Sequence, residues 1–343
     1  VIRTIPQLGA EQLGSTKPPP AGKGDRRLDP RPERDNKGRP PLPELDTVPP
    51  GPWTVRRAFE YCERIAHSHY ENFPVASRFL RAELRPHLCA LYAFARCADD
   101  FADAVAYAGR RAEALDRWDA ELRRCYHGDA EHPIFIALRE TVARFEIPIN
   151  PLADLLTAFR VDLNVRRYGT FTELRRYCDL SAAPVGRMVL YVFGYRDPEL
   201  HRFSDEICTA LQLANHWQDV AQDLGRDRIY LPEEDLHHFG VTEDELFAHR
   251  LTPAFRDLMR FQVGRTRTIF DRGRPLGDRL RRDLGFELRL IWSSGVRILD
   301  ELTRVDYNVY RRRPTLKLRG KLGAFANALG WSGKVACESL SRR

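Results

Sequence analysis

No window of 18 apolar residues occurs anywhere in the chain, and the most apolar stretch, VGRMVLYVFGY at 185–195, is too short and too interrupted to span a bilayer. A transmembrane anchor is therefore not expected. Alternating runs of β-branched residues are missing as well, and so is any repeat of fixed period, which argues against sandwiches, barrels and solenoids. The seven cysteines contain no CxxC pair, so a zinc ribbon or a dithiol redox centre is excluded. Their odd number and the lack of a secretory leader fit a reducing, cytoplasmic setting. There is no GxSxG elbow for a hydrolase nucleophile, and no Gly-rich dinucleotide fingerprint following a strand. RRRP at 311–314 is the densest basic run, but it has no zinc, helix-turn-helix or RNA-binding context, so nucleic acid is not an expected partner.

What the chain does have is charge of both signs. Its 343 residues carry 55 Lys and Arg against 48 Asp and Glu, a net charge of +7. That surplus is compatible with nucleic acid, anionic lipid or a polyphosphate ligand and chooses none of them. Proline is unevenly spread. Of 23 prolines, 11 fall in the first 50 residues, in runs such as KPPPAGKGDRRLDPRPERDNKGRPPLP, a composition that cannot bury enough apolar surface to offset the cost of ordering. Residues 1–50 read as a disordered leader, 51–320 as one catalytic domain without an internal linker, and 321–343 as a tail.

Within that domain the apolar residues recur at helical spacing. Helices are predicted at 54–69, from Pro86 through the first acidic motif, and at 111–126, 132–145 and 153–168. Another begins at an N-cap at Thr170 or Thr172 and kinks near Pro184 to Gly186. Then come 204–224, a helix capped by Thr242 with Glu245 three residues on, and helices at 253–272, 276–284 and 286–305. About a dozen helices and no strand make an all-α fold, a single large helical bundle.

The chemistry concentrates in two acidic motifs. In NHWQDVAQDLGRDRIYLP, Asn215, Asp219 and Asp223 recur every four residues, which on a helix stacks them along one face with about 6 Å of rise per step. In LYAFARCADDFAD, Asp99 and Asp103 have the same spacing, with Tyr92 and Arg96 on overlapping faces. Like charges on one face repel unless a cation intervenes. Oxygen ligands without clustered Cys or His point to Mg²⁺, or Mn²⁺, rather than zinc. Magnesium completes its shell with phosphate oxygens, so a diphosphate is the expected ligand, with Arg96, Arg226 and Arg228 to clamp it. Diphosphate on metal is also a leaving group, and a carbocation left behind needs a dry pocket with aromatic walls. Tyr92, Phe94, Phe73, Tyr177, Phe193 and Trp217 are the candidate walls, with Asn72 beside Phe73.

Each element has a plainer explanation. A single DxxxD is most often a solvated helix face, aromatics at helical spacing are most often core, and His216, one position off the acidic face, reads as a packed histidine. The weight lies in the combination: two acid pairs more than 110 residues apart, each embedded in apolar helix and each beside arginine.

With these motifs in view the chain resembles the squalene/phytoene synthase family, and most closely the hydroxysqualene synthases of hopanoid pathways. The matching pieces are ENFPVASRFL at 71–80, LYAFARCADDFAD at 91–103, FRVDLNVRRYGTFTELRRYCDLSAAPVG at 159–186, ANHWQDVAQDLGRDRIYLPEEDL at 214–236 and, more loosely, YNVYRRRPTL at 307–316. The resemblance implies an isoprenoid synthase fold around a central cavity, with Asp99, Asp103, Asn215, Asp219 and Asp223 as metal-binding residues. It implies Arg96, Arg226 and Arg228 on diphosphate, and Tyr177 in proton transfer or cation stabilisation. Where many members continue from YC with an aromatic or His and then VAG, this chain reads YCDLSAAPVG, and its early flap reads HSHYENFPVAS. Those departures favour the hopanoid branch, which implies Mg²⁺-dependent conversion of presqualene diphosphate to hydroxysqualene with water and without NADPH. Head-to-head condensation of two farnesyl or geranylgeranyl diphosphates is the alternative, and a non-catalytic helical interaction protein with a degenerate metal site is a third. So apolar a product implies peripheral contact with the inner membrane face and with other hopanoid-pathway enzymes.

Overall fold

The computed structural model describes residues 48–68, 81–316 and 318–331. Nearly all of the proposed leader, and the proposed cavity residues Asn72 and Phe73, lie outside the described residues. Among those described there are fourteen α-helices, two short 3₁₀ turns and no strand. In order the helices are α1 (Val55–Ser68), α2 (Arg85–Asp103), α3 (Arg111–Tyr126), α4 (Pro133–Phe145), α5 (Asn150–Asn164), α6 (Phe171–Ser181) and α7 (Ala183–Val192). The chain continues with α8 (Pro198–Leu224), α9 (Glu233–Phe239), α10 (Glu243–Phe247), α11 (Pro253–Gly273), α12 (Leu276–Arg279), α13 (Arg282–Arg304) and α14 (Leu318–Leu329).

Helix α8 organises the molecule. Its 27 residues span about 40 Å and begin at Asp197, whose carboxylate accepts from the Glu199 amide at 2.9 Å, with Pro198 in the first turn. That start lies six residues before the one read from periodicity, because Ser204 sits inside the helix rather than capping it. Leu213 and Trp217 are buried on the helix, which packs against α11, α7 and α13. The approach of α11 is close: a Cβ on Gly273 would lie 2.8 Å from the Phe203 carbonyl oxygen. On the opposite flank α1, α2 and α4 pack together, with α3 closing over α2 and α5.

Three boundaries differ from the sequence reading. Helix α5 runs 150–164 rather than 153–168, since Pro151 occupies the first turn, where its missing N–H costs nothing, instead of interrupting. The break at 182 divides α6 from α7, and Thr170 rather than Thr172 caps α6 in a capping box with Glu173. Gly285 does not end a helix; it lies in the first turn of α13, where its lack of a Cβ leaves room for the Leu280 carbonyl, which a Cβ would meet at 2.9 Å. Helix α14 crosses the expected domain end at 320 and packs on α13 through Ala324 and Ala328.

What positions the site is an extended pairing. Residues 165–169, released from α5, run beside the loop that follows α8. The Ile229 amide donates to the Arg166 carbonyl at 2.9 Å, Glu233 to Tyr168 at 2.9 Å and Glu234 to Gly169 at 3.0 Å. Arg167 locks the loop by bonding the Asp227 carboxylate at 2.8 Å and Glu243 at 3.0 Å, and Asp227 takes a left-handed φ of 56° to make the turn. Arg228 and Tyr230 are thereby turned back over α5 and α6.

Candidate active site

Helix α2 is buried almost all round, and its two faces do different things. Tyr92, Arg96, Asp99 and Asp103 follow one face at i, i+4, i+7 and i+11. Phe94 and Phe101 lie on the reverse, where Trp118 meets both, at ring centroid distances of 6.1 and 5.2 Å. Phe94 is thus a core residue rather than a cavity wall, a correction that follows from its position half a helical turn from Tyr92. Trp217 is corrected for the same reason: it points from α8 into α11, where its indole donates to Thr266 Oγ1 at 2.8 Å. Phe193, at the end of α7, lies against Arg81 at 6.0 Å.

On the first acidic face Arg96 donates to Asp99 at 3.2 Å and also bonds Asp100. Burial pushes the Asp100 carboxyl up to about 6, with Arg96 opposing, and the same burial pushes Tyr92 up to about 12. Asp103, at the helix end, is the more exposed acid. Arg96 is therefore engaged within its own helix, holding the motif's acids.

On α8 the three residues Asn215, Asp219 and Asp223 do share one helix, as their spacing predicts. Asp219 is buried and forms a two-pronged ion pair with Arg313, one bond from Nε and one from Nη2 at 3.1 Å. Gln218 fastens the same segment by donating to the Pro314 carbonyl at 2.5 Å. Asp223 closes the helix, its carbonyl accepting from the Arg226 and Arg228 amides, both at 2.9 Å.

The two arginines of the loop part company. Arg226 is exposed on the rim. Arg228 turns inward, donates to the Asp162 carbonyl on α5 at 3.1 Å and approaches Asp103 on α2 at 3.7 Å. One guanidinium thus joins the loop after the second motif to the end of the first. Burial disfavours its charge, but the oxygens of Tyr230, Asp162 and Asp103 more than offset that, so it stays protonated.

Beneath Arg228 lies an aromatic nest. Tyr230 stacks on His216 at 3.7 Å and on Tyr168 at 5.8 Å, and Tyr177 faces Tyr168 at 5.5 Å. Burial, with Arg228 adding to it, drives His216 down to about 3, so the ring is neutral. Burial, followed by the charge of Asp162 on α5, raises the Tyr177 phenol far above its ordinary value. Tyr168, Tyr230, Asp162 and Arg313 were not among the candidates read from sequence. Asp162 did carry a signal, as a lone acid on the buried stripe of Leu155 and Phe159. Arg313 carried none, since nothing local ties it to an acid 94 residues away.

Among the described residues no three of His, Cys, Asp and Glu converge as a ready-made metal cluster. The donor chemistry nevertheless suits a hard divalent cation, which uses one or two carboxylates and fills its shell with water and phosphate oxygens. Asp99 and Asp103 from α2, and Asn215, Asp219 and Asp223 from α8, are the oxygen donors that would hold it.

The model of the squalene/phytoene synthase family matches residues 66–320. The chain is 31% identical to a phytoene synthase of Arthrospira platensis over 78% of its length and 91% of that protein's. It is similar to the crystal structure of squalene synthase HpnC from Alicyclobacillus acidocaldarius, with 44% identity, a TM-score of 0.72, and coverage of 75% of this chain and 97% of that one. A dehydrosqualene synthase solved with ligand shares the fold at 22% identity and a TM-score of 0.70. With both acidic helices and the aromatic nest inside the matched span, the chain belongs to the squalene/phytoene synthase family.

Proposed function

We propose that this member of a family acting on prenyl diphosphates is a hydroxysqualene synthase, which ionises presqualene diphosphate, rearranges the carbocation and quenches it with water. The observation that carries the reading is the pairing of an aromatic nest with a guanidinium above it. Arg228 bridges α5 and α2, reaching the Asp162 carbonyl and Asp103 where diphosphate would lie, and the rings of Tyr168, Tyr177, Tyr230 and His216 pack together beneath it as a lining suited to a cation. The higher identity to a squalene synthase, 44% against 31% to a phytoene synthase, supports a squalene-type rather than a phytoene-type member.

In this reading Arg228 and Arg313 hold the diphosphate oxygens, and the faces of Tyr168, Tyr177 and Tyr230 line the path of the cation. Mg²⁺, when bound by the acids of α2 and α8, supplies the charge that stabilises the leaving diphosphate. Burial of the nest restricts the access of water, which in this reading decides between alcohol and rearranged hydrocarbon.

The apolar product fits a peripheral membrane enzyme. No helix among the described residues is long and apolar enough to cross a bilayer. Helix α14, however, exposes Leu322, Phe325 and Leu329 at i, i+3 and i+7, opposite its packed Ala324 and Ala328. From 311 to 343 the chain carries nine Arg and Lys against a single acid, Glu338, so an anionic bilayer is the occupant proposed for that face. Sedimentation with anionic vesicles should be lost in a Leu322→Glu, Leu329→Glu variant. Equal binding by that variant would remove α14 from the contact.

The test of the activity is product analysis. Protein given presqualene diphosphate and Mg²⁺ without NADPH should release diphosphate and form an alcohol. Inactivity on that substrate, with turnover of farnesyl diphosphate alone, would favour condensation.

A further inference from the structure

Three arginines stand against the acids of the two motifs. Arg96 donates to Asp99 at 3.2 Å and bonds Asp100, Arg228 approaches Asp103 at 3.7 Å, and Arg313 grips Asp219 through Nε and through Nη2 at 3.1 Å. The third pair differs from the others. Arg96 lies three and four residues from its acids on one helix, and the Asp103 side chain is 41% exposed. Asp219 is buried, and its partner comes from a segment 94 residues away, so the fold carries a positive charge in to meet it. The fork engages both carboxylate oxygens and offsets the cost of burying the anion. The neighbouring backbone is fastened separately, since Gln218 donates to the Pro314 carbonyl at 2.5 Å. The Arg313 side chain is 33% exposed, so it can leave Asp219 by rotating about its own bonds while Pro314 stays on α8.

We propose that Arg313 is an exchangeable counter-ion, and that Asp219 takes a divalent cation only together with a diphosphate, which draws Arg313 away from it. This rests on the proposed roles of Asp219 toward metal and of Arg313 toward diphosphate. A divalent cation and a guanidinium held against one carboxylate repel each other, and burial strengthens that repulsion. Cation alone must therefore open the fork and leave Arg313 without its anion. A diphosphate removes that cost, because its oxygens accept from the guanidinium in the same two-pronged way as the carboxylate. The charges change partners, Asp219 to the cation and Arg313 to the diphosphate, and no covalent bond is made or broken. The coupling is reciprocal: diphosphate tightens the cation by the factor with which the cation tightens diphosphate. What the second motif recognises is then metal and diphosphate as a pair, in preference to the free ion.

The test uses no prenyl substrate, so it stands or falls separately from the water-quenching reaction. Mn²⁺ binding to the full chain is titrated through the electron paramagnetic resonance signal of the free ion, alone and with inorganic diphosphate. Arg313→Gln should bind Mn²⁺ alone at least about tenfold more tightly than wild type, yet hold diphosphate at saturating Mn²⁺ at least about threefold less tightly. Mn²⁺ alone should also raise the Tm of Arg313→Gln more than that of wild type, by restoring a partner to buried Asp219. Arg312→Gln removes the same charge from the exposed neighbour and should stay within about threefold of wild type in both affinities. The gain in Mn²⁺ affinity should vanish when Asp219→Asn is combined with Arg313→Gln. An Mn²⁺ affinity unchanged or lowered in Arg313→Gln would overturn the exchange and leave Arg313 a structural tie. An equal gain in Arg312→Gln, or a gain that survives Asp219→Asn, would overturn it as well, since the effect would then be one of charge at large or of another site. If Arg313→Gln does not fold, Arg313→Lys decides, because it keeps the charge without the fork: a gain of less than about twofold for Mn²⁺ alone overturns the proposal.

Discussion

Arg228 is the residue on which the two acidic helices are joined, and its loss should be legible in two separate measurements. Arg228→Gln removes a charge-assisted hydrogen bond to the Asp162 carbonyl, a contact of about 1.5–3 kcal/mol. It also removes an approach of 3.7 Å to Asp103, whose side chain is 41% exposed, so solvent reduces that contribution to about 0.5 kcal/mol. The sum is about 2–3.5 kcal/mol, which in a domain of this size lowers Tm by roughly 4–7 °C without ligand. The cost in turnover should be larger, because the guanidinium faces charge that grows as the leaving group departs; the loss expected is about 10²–10³-fold. Arg228→Lys keeps the charge without the planar fork and should fall between, recovering more of the activity than of the Tm. Thermal unfolding and a diphosphate-release assay read the two effects separately. Turnover of Arg228→Gln within threefold of wild type, despite the lowered Tm, would refute the clamp and leave only a structural tie.

Asp219→Asn and Asp99→Asn should each cut turnover by at least about 10²-fold with far-UV circular dichroism unchanged. In Asp219→Asn the rise in Tm given by Mg²⁺ with inorganic diphosphate should also disappear; a retained shift would exclude Asp219 as a ligand. His87 offers a test of the scaffold. It is buried at the start of α2, bonded to Thr141 at 2.9 Å, and held down to about 4 by burial and by Arg144. Between about 6.5 and 4 the unfolded chain therefore binds a proton that the folded one does not, so this residue's contribution to stability is full above 6.5 and lost as pH falls through that window. His87→Gln should flatten the decline of denaturation midpoint between pH 7 and pH 4, and an unchanged slope would show that His87 titrates alike in both states.

The sequence carried what is periodic. Asn215, Asp219 and Asp223 lie on one helix because a four-residue step is a property of the helix itself, and the caps at Thr170 and Thr242 were legible because a capping box is a four-residue device. It could not carry what depends on the rotation of one helix against another. Tyr92 and Phe94 are two residues apart, yet one shares the acidic face and the other fills the core against Trp118, a division settled by where α3 packs. Arg226 and Arg228 looked equivalent beside the same motif, but the left-handed turn at Asp227 and the backbone bond from Ile229 to Arg166 send one out to the rim and the other in to Asp162. Arg313 was set aside with a basic run, although it forms the ion pair that holds Asp219. These three cases share a cause. Each depends on a contact between segments distant in sequence, and in the two arginine cases the deciding group is a backbone carbonyl or a buried acid that local pattern treats as filler. Asp162 is the strongest instance: a carboxylate on an apolar stripe looks like a fault in the periodicity until the loop from α8 folds back and puts Arg228 on one side of it and Tyr177 on the other. An acid that interrupts a buried stripe is therefore itself a pointer to a site, provided that its partners are sought on other helices rather than its own.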